Sequence, residues 1–350
     1  ILYGKLRPYL DKAVVAQTSG ICSTDVLVFA AKNEVPPEFV VSVLHTEMFV
    51  EHAKKTTHGV NHPRTSWKSI KEYSLAIPSL AEQKKIAAVL LKLQQAILIQ
   101  EQTLDTLREL KKATMHKIFT EGLHGEETKE TEFGFVPESW CIEPLGECCA
   151  VQTGITKGKK IAGDEAVELP YLRVANVQDG HLDLTNMKTI RLRRTEIERY
   201  SLQDGDVVLT EGGDFDKLGR GFVWENQVPN CVHQNHVFAV RADRTRLIPH
   251  FLAYLAQSPY GKAYFLSVAH KTTNLACINS TKLKGLPVPI PSMAEQQKII
   301  SIFQTLDKKI GVHERKRDTL NELFRTTLNQ LMTAKIRVNN LKIDTSEVEG

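Results

Sequence analysis

One stretch occurs twice in this chain. Ile77-Pro78-Ser79-Leu80-Ala81-Glu82-Gln83-Lys84-Lys85-Ile86 returns as Ile290-Pro291-Ser292-Met293-Ala294-Glu295-Gln296-Gln297-Lys298-Ile299. Each copy opens a long run without proline, and the runs stay aligned without gaps: Asp105-Thr106-Leu107 and Glu109-Leu110 reappear as Asp318-Thr319-Leu320 and Glu322-Leu323. A repeat of this length means duplicated architecture.

Both runs read as helices. Ser79 and Ser292 follow a proline, and Glu82 and Glu295 stand three residues later, the capping-box spacing that satisfies the free amides of a first turn. Beyond the cap, Ile86, Leu90, Leu93, Ile97, Leu104, Leu107 and Ile118 keep a 4,3 spacing, as do Ile299, Phe303, Leu306, Ile310, Leu320, Phe324 and Leu331. Polar residues interrupt the seams midway, Gln100 in one and His313 and Arg317 in the other, a device that fixes register at some cost in stability. The expectation is an antiparallel coiled-coil pair. A helix of about 40 residues spans about 60 Å, more than a small domain, so it would act as a spacer.

The remaining chain is β-rich and mixed, giving an α+β class with two mixed domains alternating with the two helices. Residues 1–79 carry short strand candidates at Ile1–Tyr3, Ala13–Ala16 and Asp25–Phe29, then a helical run from Phe39 to Phe49. Residues 80–121 form the first spacer helix, 122–135 an acidic linker, 136–289 a second globular domain, 290–336 the second helix and 337–350 a frayed tail. Strands are expected at Pro170–Val177, Asp206–Thr210, Gly221–Trp224 and Val237–Val240, and a helix at Pro249–Leu255. Pro37-Glu38-Phe39 matches Pro249-His250-Phe251, so residues 1–79 correspond to the second half of the domain at 136–289. On that count about 70 residues of the first domain are absent before Ile1, and the chain reads as a fragment.

Composition narrows the class of activity. A formal net charge of +4 over 350 residues permits a local basic face without demanding one. Six cysteines without C-x-x-C spacing point to reduced thiols and a cytoplasmic protein, and no run approaches the ~20 apolar residues of a membrane span. Catalytic chemistry is not legible. His233-Gln234-Asn235-His236 lacks the further ligands of a zinc site, and Gly212–Gly221 fits a turn between strands better than a phosphate loop. Cys148-Cys149 reads as buried sulfur, and Asp204 and Asp206 as solvated surface.

Groups suited to nucleic acid are easier to find. Lys5 and Arg7 lie in the first domain, with Lys54, Lys55, His58, Asn61 and Arg64 in a polar, basic stretch. In the second, Lys157, Lys159 and Lys160 occupy a glycine-containing loop, and a strand at Ile190–Arg194 would put Arg191 and Arg193 on one face. Arg173, Asn176, Arg220, Gln234, Asn235, Lys271, Thr273 and Asn274 add hydroxyl, amide and basic groups able to meet phosphates or base edges. Taken singly, each also suits an ordinary solvated surface. Their recurrence at equivalent places in the two halves favours binding: His270–Asn274 is the counterpart of Thr57–Asn61.

These stretches resemble the specificity (S) subunits of type I DNA restriction-modification systems. The resemblance rests on Leu2-Tyr3-Gly4-Lys5-Leu6-Arg7-Pro8-Tyr9, the two proline-capped helix starts, Val136-Pro137-Glu138-Ser139-Trp140, Tyr171-Leu172-Arg173-Val174-Ala175-Asn176-Val177, and Thr272-Thr273-Asn274-Leu275 with Ile278-Asn279. It implies two target recognition domains that each read half of a bipartite site in double-stranded DNA. It also implies two methyltransferase subunits docked on the helices, and restriction-translocase subunits in the full complex. S-adenosylmethionine, ATP and magnesium would belong to those partners, with no cofactor, metal or catalysis in this chain. A coiled-coil scaffold with two protein-binding domains explains the helices and leaves the basic loops unused, and a nuclease reading would require metal-dependent cleavage by this chain alone.

Overall fold

A computed structural model describes residues 1–32, 35–156, 166–271 and 276–348. The chain forms two compact units, Ile1–Thr106 with Ile310–Gly350, and Leu107–Lys309. In the first unit β1 (Leu2–Gly4) lies between β2 (Ala13–Val14) and β3 (Val26–Val28), antiparallel to both. Two helices follow, α1 (Pro37–Leu44) and α2 (Glu47–Lys55), where the sequence suggested a single run. The break is made by Thr46, whose Oγ1 accepts the Phe49 amide (3.3 Å) and so starts a second helix. Tyr3, Leu44, Phe49, Ala53 and Ile70 make the small core between sheet and helices, the last from α3 (Trp67–Ile70).

The long helix α4 (Leu80–Glu121) leads to a hairpin, β4 (Thr128–Thr131) with β5 (Gly134–Pro137). The acidic linker is thus partly structured, its turn using Gly134 at φ 126°, which favours glycine. The second unit continues with β6 (Cys141–Pro144), α5 (Leu145–Cys148), β7 (Cys149–Thr153), β8 (Ala166–Leu172), β9 (Val177–Gln178), β10 (His181–Leu182), β11 (Lys188–Arg193) and α6 (Arg194–Tyr200). Then come β12 (Val207–Thr210), β13 (Gly212–Gly213), β14 (Gly221–Val223), β15 (Val232–His233) and β16 (Val237–Ala242). Helices α7 (Pro249–Gln257) and α8 (Pro259–Val268), the short strands β17 (His270–Lys271) and β18 (Ala276–Cys277), α9 (Ser280–Lys284) and β19 (Pro287–Ile290) complete it before α10 (Met293–Met332).

An antiparallel sheet in the order β14-β12-β16-β7 forms the centre of this unit. Val207, Leu209, Phe238 and Val240 from one of its faces join Phe251, Leu252 and Leu255 of α7 in a single apolar core. A second sheet, β11-β8-β15, packs its own cluster around Tyr171, Leu192 and Val232. Between strands, Asp206 is fully buried and held by Arg241 through two 2.8 Å bonds, not solvated as its sequence context suggested. The Arg241 guanidinium offsets the burial of its charge.

Within each unit the long helices pair as the seam requires. In the first, Ile86 and Leu90 of α4 share a core with Leu328 and Leu331 of α10, and Gln100 Oε1 meets His313 Nδ1 at 2.8 Å. Those partners are equivalent residues of the repeat, and following α4 backwards from Gln100 means following α10 forwards from His313, an antiparallel course. In the second unit Phe119 stacks on Phe303 (6.1 Å), and Asp307 accepts bonds from Lys111 (2.6 Å) and Tyr254 (2.8 Å). Leu104, Ile118, Ile299 and Leu306 are buried; Leu93, Ile97, Leu107, Ile310, Leu320 and Phe324 are half-buried along the same seam.

Only half of each capping box forms. Ser79 and Ser292 accept the amides of Glu82 (3.4 Å) and Glu295 (3.3 Å), but the Glu82 carboxylate turns to Arg337 with two 2.6 Å bonds. The tail, expected to fray, therefore docks. Val338 and Val348 bury against the first turns of α4, Lys85 donates to the Asn339 carbonyl (2.7 Å) and Gln95 to Glu347 (3.0 Å). Scattered apolar residues in a polar run suffice when a long helix offers them an apolar face.

Candidate nucleic-acid interface

In the first unit the basic groups converge through backbone pairing. Residues 56–65 fold against the segment after β1: the Arg7 amide donates to the Pro63 carbonyl (2.8 Å), the Thr65 amide to the Lys5 carbonyl (3.1 Å), and Arg64 bridges both Leu6 and His58. Arg7 sits at φ 51°, turning the chain into a 3₁₀ turn at Pro8–Leu10. Lys5, Arg7, His58, Asn61 and Arg64 thus come from two loops locked together, with Lys54 and Lys55 at the end of the neighbouring α2. Lys55, His58 and Asn61 are exposed, while Lys54 pairs with Glu51. Arg64 is engaged with Asp25 (2.7 and 3.1 Å). Those hydrogen bonds, with the charges of Lys5 and His62, hold the Asp25 carboxyl below its usual value.

In the second unit the convergence is on the segment 233–236. Ile155 pairs with Gln234, the Ile155 amide donates to the His233 carbonyl (2.8 Å) and the Asn235 amide to the Ile155 carbonyl (3.0 Å). Gly154 permits this, since a Cβ there would lie 2.1 Å from the His233 carbonyl oxygen. The Gln234 amide bonds the Leu172 carbonyl (2.9 Å), while its Oε1 accepts the Val174 amide (3.3 Å). On the other side the Glu211 amide bonds the His236 carbonyl (2.9 Å), and β13 pairs with β18, itself paired with β17. Lys271 is exposed at the end of β17.

The candidates divide by what they already hold. Asn176 is spent on the fold: it is buried, its Oδ1 accepts the Arg173 amide (3.1 Å) and its Nδ2 donates to the Asp183 carbonyl (2.9 Å), so it caps a 3₁₀ turn that ends β8 before the expected strand limit. Arg173 is half-buried and bonds the Asn186 carbonyl (3.0 Å). Arg220 is half-buried too. On β11, Leu192 points inward and Arg191 and Arg193 share the exposed face, as period-two alternation requires. Lys157, Lys159, Lys160, Thr273 and Asn274 lie outside the described residues.

His233, next to these groups, is buried, and burial lowers its pKa and keeps the ring neutral. Sequence reasoning missed Glu211, whose position opposite His236 is set by pairing between strands 25 residues apart. Among the described residues no cluster of three or more His, Cys, Asp or Glu side chains gathers as for a metal ion. No helix there is long and apolar enough to cross a membrane.

A family model described as the type I restriction modification DNA specificity domain matches residues 11–109 and 137–322. The chain belongs to this family. Both matched stretches of the specificity domain end at equivalent positions of the internal repeat, Glu109 and Glu322. Among curated relatives, the MjaVIII specificity subunit of Methanocaldococcus jannaschii is 26% identical over 336 residues, covering 92% of this chain and 76% of its own length. The MjaX specificity subunit of the same organism is 25% identical over 210 residues, 59% of this chain, and the match spans about half (49%) of that relative. A solved structure titled as a study of complex assembly and conformational transition of the type I R-M system aligns with a TM-score of 0.54 at 17% identity, covering 95% of this chain and 80% of that one. The specificity-domain fold is therefore shared along nearly the whole chain.

Proposed function

We propose that this chain is the DNA-specificity subunit of a type I restriction-modification complex, a binding subunit without chemistry of its own. The observation that carries the reading is the gathering, in each unit, of basic and amide side chains on segments locked together by backbone pairing: exposed Lys55, His58 and Asn61 in the first, and half-buried Gln234 and Asn235 with exposed His236 in the second. Such a set positions a protein on phosphates and offers amides to base edges. Residues 1–79 and 136–289 then serve as recognition regions, and residues 80–121 and 290–336 as spacer helices on which two methyltransferase subunits dock. Restriction-translocase subunits would complete the assembly, and S-adenosylmethionine, ATP and magnesium belong to the partners. The family membership supports the role, as do the names of the relatives.

The test is a titration of random duplex DNA with the full chain, read by fluorescence anisotropy across a salt series. Neutralising six or so phosphates predicts a loss of about a thousandfold in affinity between 50 and 200 mM salt. Replacing Lys157, Lys159 and Lys160 by alanine lowers the salt slope by about 0.9 for each phosphate contact removed. Absence of binding at low salt, with and without a methyltransferase partner, overturns the reading.

A further inference from the structure

Three side chains at the meeting point of the second unit's loops form a chain of hydrogen bonds. His236 Nδ1 lies 2.6 Å from Glu211 Oε2, and His236 Nε2 lies 3.3 Å from Asn235 Nδ2. Glu211 is itself fixed by backbone on both sides, its amide on the His236 carbonyl and its carbonyl on the Ile278 amide (2.9 Å each). Asn235 is tied down by its amide bond to Ile155.

The chemistry of these groups sets the direction of the chain. A carboxylate only accepts, so Nδ1 of His236 donates to Glu211. The Asn235 amide nitrogen that faces Nε2 only donates, so Nε2 accepts from it. One N–H of Asn235 is thereby used. Its Oδ1 and second N–H have no further partner among the described residues. An acceptor beside a donor on a rigid amide is the complement of adenine N6 and N7 in the major groove. Neighbouring Gln234 differs, since its oxygen already holds the Val174 amide.

We propose that Asn235 is a specificity-determining residue that reads one adenine of the target, with His236 and Glu211 as positioning residues that fix which way its amide faces. The inference rests on the DNA-binding function above and assigns one position of the site.

The test is selection from a randomised duplex library by the full chain, followed by sequencing. Wild type enriches a motif containing an adenine at which Asn235→Asp loses preference by about tenfold or more, turning toward cytosine, whose N4 amino group a carboxylate accepts. Glu211→Gln and His236→Phe flatten that same position, leaving the rest of the motif, the melting temperature and the salt slope unchanged. A purely structural role would weaken every position together. An unchanged motif in Asn235→Asp, or equal loss at all positions, overturns the proposal. A wild-type chain that binds DNA and enriches no sequence overturns the sequence-reading function and this assignment with it, whereas a wild-type motif insensitive to all three changes overturns this assignment alone.

Discussion

The carboxyl ends of the two long helices are treated differently. In the second unit the end of α4 is covered: Trp140 packs edge-on to Phe119 (6.2 Å) and Phe251 (5.9 Å), and Phe133 of the hairpin turn sets its ring against Tyr264 (5.1 Å) and Tyr260 (6.2 Å). In the first unit the equivalent end of α10 and the two residues after it, Arg325 to Ala334, line an open groove of about 950 Å³ with Tyr9, Met48, Leu75 and their neighbours. Met48 is 67% exposed where its counterpart Tyr260 is 4% exposed. Among the described residues no hairpin lies over this groove. Duplication preserved the helical register, because that register is written in each helix, but closure depends on what a separate segment contributes.

That difference sets the largest expected effect. Phe119→Ala opens a cavity among Trp140, Phe251 and Phe303 and costs about 3–5 kcal/mol of stability. The counterpart substitution Met332→Ala, at a half-buried residue beside the groove, costs about 1 kcal/mol, since little is removed from contact. Denaturant unfolding followed by tryptophan fluorescence and by circular dichroism measures both. Equal losses would mean that the two helix ends are equally closed in solution.

The amino ends of the helices contrast in the opposite sense, because the docked tail covers only α4. The Arg337 hydrogen bonds favour the charged carboxylate of Glu82 and hold its pKa below the ordinary glutamate value. A depressed carboxyl stabilises the docked tail above its unfolded pKa, and the contribution disappears as pH falls through the lower, folded value. Protection of the Val338 and Val348 amides against hydrogen exchange, taken relative to the unfolded chain at the same pH, should therefore fall on acidification in the wild type. In Arg337→Ala that protection should be low already at neutral pH and change less on acidification. Exchange at Ile299, on the core seam of the other copy, should be unaffected by the substitution.

How much of this was readable follows from the range of the interactions. The helix starts at Ser79 and Ser292, the 4,3 seams and the polar pair Gln100 and His313 are local or repeat with the helix period, and all stand out in the sequence. The tail was not readable, because Val338 and Val348 are isolated apolar residues whose partners lie some 250 positions earlier. Nor was the fate of the polar candidates. Asn176 and Asn235 are the same residue type in similar polar surroundings, yet one caps a turn and the other lies on a loop with an edge of its amide unpaired among the described residues. Composition sets what an asparagine can bond; strand pairing decides whether those bonds are already used.

The smallest predicted effect sharpens the comparison to one backbone group. Gln296 of α10 donates to the Pro291 carbonyl (3.0 Å) and accepts the Ile248 amide (2.8 Å) where α7 begins. Its repeat counterpart Gln83 likewise donates to Pro78 (2.8 Å), but its Oε1 is buried without a hydrogen-bond partner among the described residues. The residue matching Ile248 is Pro36, which has no N–H to give. Pro36→Ile restores a donor to a buried oxygen, a gain of about 1 kcal/mol. The freer unfolded chain offsets roughly half of it. The net rise should disappear in Gln83→Met, which removes the oxygen. A destabilised Pro36→Ile chain would show that the fixed proline φ at the start of α1 outweighs the unmade bond.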